Sequence, residues 1–532
     1  MFCMERPLSK LTDKHFIKIL ACLLIFFYFV NGILYLQSQS ITSDEPYFFD
    51  YAKRYATGYP ERIHPATDNS KMPVSVLNLV PRAVEQLVHP GLKKTDWGAS
   101  DIIMGRYITL LTSILTLLLV FKWSSELYGS KAGLFALFLM SFCPNNLANA
   151  GLVTTDSYSV LFLLATIYFL WKFCRFKSNG YFLLFCFTIA ASQLVKQSLF
   201  HLYIIAPVCI CIYHIVNNTR FNGRLLFIYV TGFILINWFV INLGYYFYGT
   251  NTPLGNYQFM SNLFKTVQQT FPSSLRLPLP SPFVTGLDMV KYYDQLSGGF
   301  DKLSSFGKVT ILEKSATGGS FWYYYFVSIF FKTPVSYIIF LIYAIIIMVK
   351  QRSLNTWFGN EFFLIMPVVY FIFTMSFFLR LHSGIRHIIF IYPFLFILSS
   401  GIIPGINNNF KKIAVTGLCF FLVFSVSRYW KNYYPYTNEF IYDKKMAYSY
   451  VGAGNLEFNQ GKYFRDAYLS KHPEVRMAPT SPEQGTFLIN TADYLDIWNR
   501  HRYDWITRFR PAGQVAYNWL IITVDAKDLP KK

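Results

Sequence analysis

Phe16–Leu36, FIKILACLLIFFYFVNGILYL, is followed after a short polar spacer by Thr42–Tyr51, TSDEPYFFDY. The first stretch is apolar over roughly the 20 residues a helix needs to cross hydrocarbon. The second sets two adjacent carboxylates, Asp44 and Glu45, at the mouth of that crossing. Polar and basic residues 1–15, Arg6, Lys10 and Lys14 among them, precede the run, so the expected sense has the N-terminus in the cytoplasm and TSDEP on the far side. The run carries no small-x-small cleavage pattern before TSDEP, and an uncleaved anchor is expected. Carboxylates just outside a bilayer can be plain interfacial residues. Their functional reading depends on where the other ionisable groups fall once the chain is threaded through a membrane.

Composition extends the reading to the whole chain. Of 532 residues, 53% are hydrophobic and only 14% charged, far too little charge for a soluble surface of this length. The class is therefore a polytopic α-helical membrane protein. The net charge of +20 does not point to nucleic acid. Much of the basic excess lies in short loops between apolar runs, which makes the lipid bilayer and its anionic headgroups the expected partner. The eight cysteines have neither disulfide-framework nor zinc-site spacing.

Further apolar runs lie near 102–121, 132–148, 157–173, 181–195, 199–216, 225–246, 324–349, 362–379, 387–403 and 411–427. With the first, about eleven crossings are expected. Short basic loops alternate with the others: Lys122 and Lys131; Lys172, Arg175 and Lys177; Arg220 and Arg224; Lys350 and Arg352; Lys411 and Lys412. Residues 1–427 thus form a membrane domain, with a first outer loop at 37–101 and a long one at 247–323. Residues 428–532 are mixed in polarity, with helix-like pieces at 459–471 and 491–503 and strand-like pieces at 485–490 and 515–524. They are expected to form a small α/β domain on the outer, extracytoplasmic face. An amphipathic stretch at Val74–Leu87 is expected as an interfacial helix.

This threading brings Asp44, Glu45, Asp156, Lys196, Arg386 and His387 to one outer boundary from widely separated segments. Ionisable groups at membrane depth are costly and usually face a cavity. Carboxylates suit deprotonation of an acceptor, whereas Lys and Arg suit clamping a phosphate. Each residue also has a bland explanation. Lys196 can snorkel, Asp156 can cap a helix, Arg386 can anchor an interface, His64 can be a loop residue, and Phe321–Tyr325 can belong to an aromatic belt. Their arrival on one face carries the argument, and a carboxylate beside a cationic clamp is what sugar transfer from a lipid-linked phosphate needs.

The first helix, the loop opening on Asp44-Glu45 and the Thr154-Thr155-Asp156 turn resemble the polyprenyl-phosphate-sugar-dependent type C (GT-C) glycosyltransferases. That superfamily includes the protein O-mannosyltransferases and the lipid A aminoarabinose transferases. The resemblance implies a GT-C-like membrane domain in which Asp44 is the general base and Glu45 its neighbour. Lys71-Met72-Pro73 is similar to the Lys-Pro-Pro stretch whose lysine approaches the lipid phosphate, with Met72 in place of a proline and Ser70 in place of a glutamate. Trp322-Tyr323-Tyr324 with Lys332-Thr333-Pro334, and Arg386-His387 with Tyr392-Pro393, look like later signatures near the donor phosphate. Glu457-Phe458-Asn459 stands where bacterial relatives commonly read Asp-Trp-Gly, and no catalytic weight is placed on it. The trefoil sugar-binding insert of animal and fungal members is missing, which implies a bacterial inner-membrane enzyme.

The resulting expectation is an inverting glycosyltransferase of the cell envelope. Asp44, Glu45 and Asp156 are its catalytic candidates, Lys71, Lys196, Arg386 and His387 its donor-phosphate candidates, and His64, Tyr323 and Tyr324 its substrate-binding candidates. The donor would be a polyprenyl-phosphate sugar and the acceptor a lipid, glycan or protein, with the site and the C-terminus periplasmic. The sequence shows no required cofactor. A divalent metal is left open, because Asp44, Glu45, His64, Asp156 and His387 have no diagnostic ligand spacing. The alternatives are a transporter or flippase of a lipid-linked sugar, which would carry charges at the bilayer midplane, and a non-enzymatic scaffold for envelope assembly.

Overall fold

The computed structural model describes residues 7–91, 98–218, 222–297, 308–317, 321–351, 353–380, 382–498 and 500–529. Arg6, Arg220, Arg352 and part of the long outer loop fall outside these ranges. Among the described residues, seven helices are long and apolar enough to cross a membrane: His15–Ser38, Ala99–Tyr128, Asp156–Phe176, Gln197–Val216, Gly223–Gly244, Ile385–Gly405 and Asn409–Ser427. Three shorter apolar helices (Ser130–Ser141, Asn179–Ser192 and Phe362–Phe377) and one bent pair coincide with the remaining runs. The chain is a polytopic helical membrane protein.

The run at 324–349 differs from expectation. It is two helices, Tyr324–Lys332 and Val335–Lys350, bent by 109°. Pro334 is the cause. The residue before a proline is driven from helical to extended backbone, and Thr333 sits at φ −103, ψ 126.

Burial orders the bundle. Asp156–Phe176 and Ile385–Gly405 are mostly enclosed, whereas Gly223–Gly244 and Asn409–Ser427 lie outermost. Phe227, Phe410 and Phe420 project from these outer helices, as side chains facing hydrocarbon should. Opposite ends of the bundle are distinct. At one, Lys172 pairs with Glu126 at 2.9 Å and the Trp171 indole N–H donates to Gly359 O at 3.1 Å. The N-termini of Ala99–Tyr128 and Asp156–Phe176 lie at the other, among the outer loops.

Those loops are more ordered than a Pro- and Gly-rich composition suggests. The interfacial stretch at Val74–Leu87 forms a 3-10 turn, Pro73–Leu79, leading into a helix, Val80–Val88. The long loop contains helices Asn262–Thr270 and Ser281–Ser297. It also supplies an antiparallel hairpin of β1 (Lys308–Ile311) and β2 (Lys314–Thr317). Arg62 ties the two outer loops together: its buried guanidinium donates to Pro282 O, Asp68 O and Lys71 O.

Beyond the last crossing, β3 (Val475–Met477), β4 (Gly485–Asn490), β5 (Gly513–Val515) and β6 (Trp519–Val524) form a sheet in the order β3-β4-β6-β5. Phe487, Ile489, Leu520 and Ile522 bury its inner face with Tyr448 and Val451. The helix-like piece at 491–503 is only Thr491–Tyr494, because Asp496 and His501 adopt left-handed backbone (φ 47 and 53). Residues 429–436 pack with the bundle rather than with the sheet. Tyr429, Tyr433, Tyr434 and Tyr436 are buried in the membrane core. The Lys332 ammonium joins the two bodies, donating to Tyr434 O at 2.6 Å and Asn455 O at 2.7 Å.

Candidate functional site

Asp44 and Glu45 start the helix Glu45–Ala56, where Pro46 suits the first turn because its missing N–H would be unpaired there anyway. Phe48, Phe49, Tyr51, Ala52 and Tyr55 bury one face of this helix. Glu45 turns inward and is fully buried. Its two oxygens accept from Arg106 Nε at 2.8 Å and Nη2 at 2.6 Å, from Thr42 N–H and O–H, and from Val153 N–H. Arg106 uses its remaining donors on the carbonyls of Leu36, Gln39 and Ser40. Every strong hydrogen-bonding position of this pair is taken, so Glu45 acts as a pin between the first loop and two helices.

Asp44 turns the other way. It remains 32% exposed, and its Oδ2 meets Arg386 Nη1 at 2.8 Å. Burial alone would push this carboxyl up, but Arg386 and then Lys71 outweigh it and hold Asp44 below the usual carboxylate range. Lys71 is buried, with its ammonium 3.8 Å from the Phe48 ring centroid. Burial lowers it to about 8, against the pull of Asp44. Asp156 opens its helix beside Thr154, and its Oδ1 accepts from Lys196 Nζ at 2.6 Å. Arg386 and His387 lie in the 3-10 turn Ile385–Ile391 that starts the central helix. Arg386 Nε and His387 Nε2 are buried and have no hydrogen-bond partner among the described residues.

Asp44 and Arg386 face a cleft of about 420 Å³ between the bundle, the β1–β2 hairpin and the C-terminal region. Tyr324, His382, Tyr434, Glu457 and Phe458 line it with them. The Tyr324 ring stacks on His382 at 4.5 Å and 9°, and its hydroxyl accepts from Gly384 N–H. The backbones on either side approach closely. A Cβ on Gly384 (φ 98) would strike Gly454 O, and one on Gly452 (φ 71) would strike Thr310 O, so glycine is required at both. Burial pushes the Glu457 carboxyl up to about 7, against hydrogen bonds from Asn518 and the Asn459 N–H.

Two expected substrate residues lie elsewhere. His64 is exposed on the first loop, turned outward where the Asp68 carboxylate gathers the Ile63 and His64 N–H groups and Arg54. Tyr323 packs against Phe321 and Trp322 and does not line the cleft. Asp44, Glu45, His64, Asp156 and His387, for which metal binding was left open, do not form a close three-ligand group among the described residues. Among the described residues, the one grouping of three ligand atoms is Asp496, His501 and Asp504, with all three hydrogen-bonded together or to nearby N–H groups. Sequence reasoning missed Arg106, Phe458 and Tyr434. Arg106 carried a signal as a lone cation inside an apolar run, and Phe458 lay in the tail stretch that was given no catalytic weight.

Residues 99–245 match the family model of the dolichyl-phosphate-mannose-protein mannosyltransferases, which supports the GT-C glycosyltransferase reading. The fold is similar to that of ArnT from Cupriavidus metallidurans bound to undecaprenyl phosphate, at 9% identity and a TM-score of 0.45, covering 97% of this chain and 99% of that one. It is also similar to the Archaeoglobus fulgidus oligosaccharyltransferase in complex with zinc and sulfate (12% identity, TM-score 0.41, 76% of this chain). A third similarity is to AglB from the same organism with an inhibitory peptide and a dolichol-phosphate (11% identity, TM-score 0.42, 86% of this chain and 60% of that one). The chain spans 52% of the length of the first of these archaeal proteins. No curated protein matches the sequence.

Proposed function

We propose that this chain is a GT-C membrane glycosyltransferase that moves a sugar, with inversion, from a polyprenyl-phosphate donor to an acceptor at the outer face of a bacterial inner membrane. The observation that carries the reading is the Asp44–Arg386 pair in an open cleft with Lys71 buried beside it: one carboxylate among several cations, with donor capacity left over. The match over residues 99–245 supports the donor class.

In this mechanism the donor phosphate takes the free Nε–H of Arg386 and the ammonium of Lys71, while Lys196, held by Asp156, adds charge behind them. Sharing Arg386 with the phosphate loosens its hold on Asp44 and raises the basicity of that carboxylate. An acceptor nucleophile attacks the anomeric carbon from the side opposite the phosphate. The bond from that carbon to the phosphate oxygen breaks, the polyprenyl phosphate leaves with the electron pair, and the acceptor proton passes to Asp44. Negative charge grows on the leaving phosphate, so prearranged cations favour the transition state over the ground state. Asp156 positions Lys196, and Glu45 fixes the helix that carries Asp44.

The test is mass spectrometry of envelope glycolipids and glycoproteins from the host. Wild type, a deletion strain, and the deletion complemented with Asp44→Asn at matched expression are compared. A fixed sugar mass lost in the last two supports the reading and identifies sugar and acceptor; full restoration by Asp44→Asn overturns it. Repeating in vitro transfer with and without a chelator decides whether a divalent metal takes part.

A further inference from the structure

Phe458 lies in the altered tail stretch, far in sequence from every residue given a chemical role above. It is buried, and the guanidinium of Arg386 sits 4.0 Å from its ring centroid. The same ring stacks with Tyr434 at 5.6 Å and 19°. Its backbone reaches the other member of the pair, because Phe458 O accepts from Ser43 N–H, next to Asp44. Neighbouring residues reinforce this grip. Asn459 Nδ2 donates to Ser43 Oγ at 2.8 Å, and Gln460 O accepts from Ser40 N–H. Gln460 also closes the turn on itself, its Oε1 accepting from Phe458 N–H at 2.6 Å and its Nε2 donating to Leu456 O. Three consecutive residues therefore hold the Ser40–Ser43 segment that leads into Asp44, and one of them holds Arg386 through its ring.

We infer that Phe458 is a positioning residue of the transferase site, whose ring fixes the Arg386 guanidinium so that Nη1 meets Asp44 while Nε stays available to a phosphate oxygen. This rests on the reading of the cleft as a phosphate clamp. A planar, weakly hydrated guanidinium prefers an aromatic face, and holding it there removes rotamer freedom that phosphate binding would otherwise have to restrict. The alternative is that Phe458 merely fills space, and the two roles separate cleanly. A filler can be replaced by any apolar group of similar volume, whereas a ring face cannot.

The experiment measures binding of undecaprenyl phosphate alone to the full-length protein in phosphatidylcholine nanodiscs, together with transfer kinetics. Phe458→Tyr should stay within about threefold of wild type, whereas Phe458→Met should weaken binding by about tenfold, the range of a desolvated cation–π contact. Transfer should fall with it while the acceptor KM holds. Should the Met variant fail to fold, fluorinated phenylalanines at 458 carry the test, since they keep the shape and drain the ring face. Binding should weaken stepwise with each fluorine. A flat series overturns the inference. Arg386→Ala separates the two levels: if it weakens binding while the fluorinated series is flat, only the role of Phe458 fails. If Arg386→Ala also binds like wild type, the phosphate clamp fails and this inference with it.

Discussion

Asp44 and Glu45 are neighbours in sequence, each is paired with an arginine, and the two pairs serve opposite ends. Around Glu45 and Arg106 every strong donor and acceptor is used, and both side chains are sealed from solvent. Asp44 and Arg386 meet through Oδ2 and Nη1, the Arg386 Nε–H has no partner among the described residues, and a cleft opens beside them. Successive residues on a helix start point about 100° apart, so one carboxylate faces the bundle and the other the cleft. A completed buried pair holds structure together. An incomplete pair at a cavity is ready for a ligand that completes it.

The largest effect expected from this contrast is on chemistry at Asp44. Asp44→Asn should keep the fold and bind polyprenyl phosphate yet lose about 10²–10⁴-fold in transfer, the range of a removed general base. Single-turnover transfer on purified protein measures it, and near-normal turnover would remove Asp44 from the mechanism. Next comes stability at the other pair. Arg106→Ala leaves the Glu45 carboxylate buried without its cation, which should cost about 3–5 kcal/mol. Glu45→Gln should act in the same direction. Thermal unfolding in detergent measures both, and the Glu45→Gln molecules that remain folded should still transfer sugar. If they fold normally but are inactive, the two carboxylates have not been correctly separated.

A smaller effect is expected at Arg386→Lys, which keeps the charge but loses the fork and the flat face that lies on Phe458. Donor KM should rise by about tenfold, corresponding to one or two lost charge-assisted hydrogen bonds, with the acceptor KM unchanged. An equal rise in both would mean that Arg386 shapes the cleft generally rather than gripping phosphate.

The sequence made some of this legible for physical reasons. Apolar runs report crossings because hydrocarbon tolerates little else, and each run became a helix or a helix pair. The strand at 485–490 was equally plain, since Phe487 and Ile489 alternate onto one buried face. The break at Thr333-Pro334 was visible as a proline, whereas the anchoring of Lys332 beside it to Tyr434 and Asn455, more than a hundred residues away, was not. The site was half legible. Charge at one boundary pointed to Asp44, Asp156, Lys196 and Arg386, which do come together there. The resemblance named Asp44 as the base and Glu45 as its neighbour, but the physical reason for separating them needed the position of Arg106, and the part played by Phe458 needed a tertiary contact that no local pattern encodes. His64 attracted attention by residue type alone, and the Asp68-centred turn places it outside the cleft.

The smallest effect is the most discriminating, because activity and stability should move in opposite directions with pH. Lys71 titrates near 8 in the folded protein, below the usual lysine value, because burial disfavours its charged form. Between that value and the ordinary lysine range the unfolded chain binds a proton that the folded chain has released, so this residue makes stability rise with pH across that window. Phosphate binding needs the protonated form, so kcat/KM for the donor should fall through the same window. With donor bound, the phosphate favours the ammonium, and the corresponding limb in kcat should lie at higher pH. Lys71→Met should remove both trends, leaving weaker donor binding with no alkaline limb from this group and a stability curve without the rise. Measuring kcat/KM and thermal midpoints of the two proteins from pH 7 to 10 provides the check. If activity and stability fell together in wild type, with the fall unchanged in Lys71→Met, Lys71 would belong with Glu45 as structure and the clamp would rest on Arg386 and Lys196.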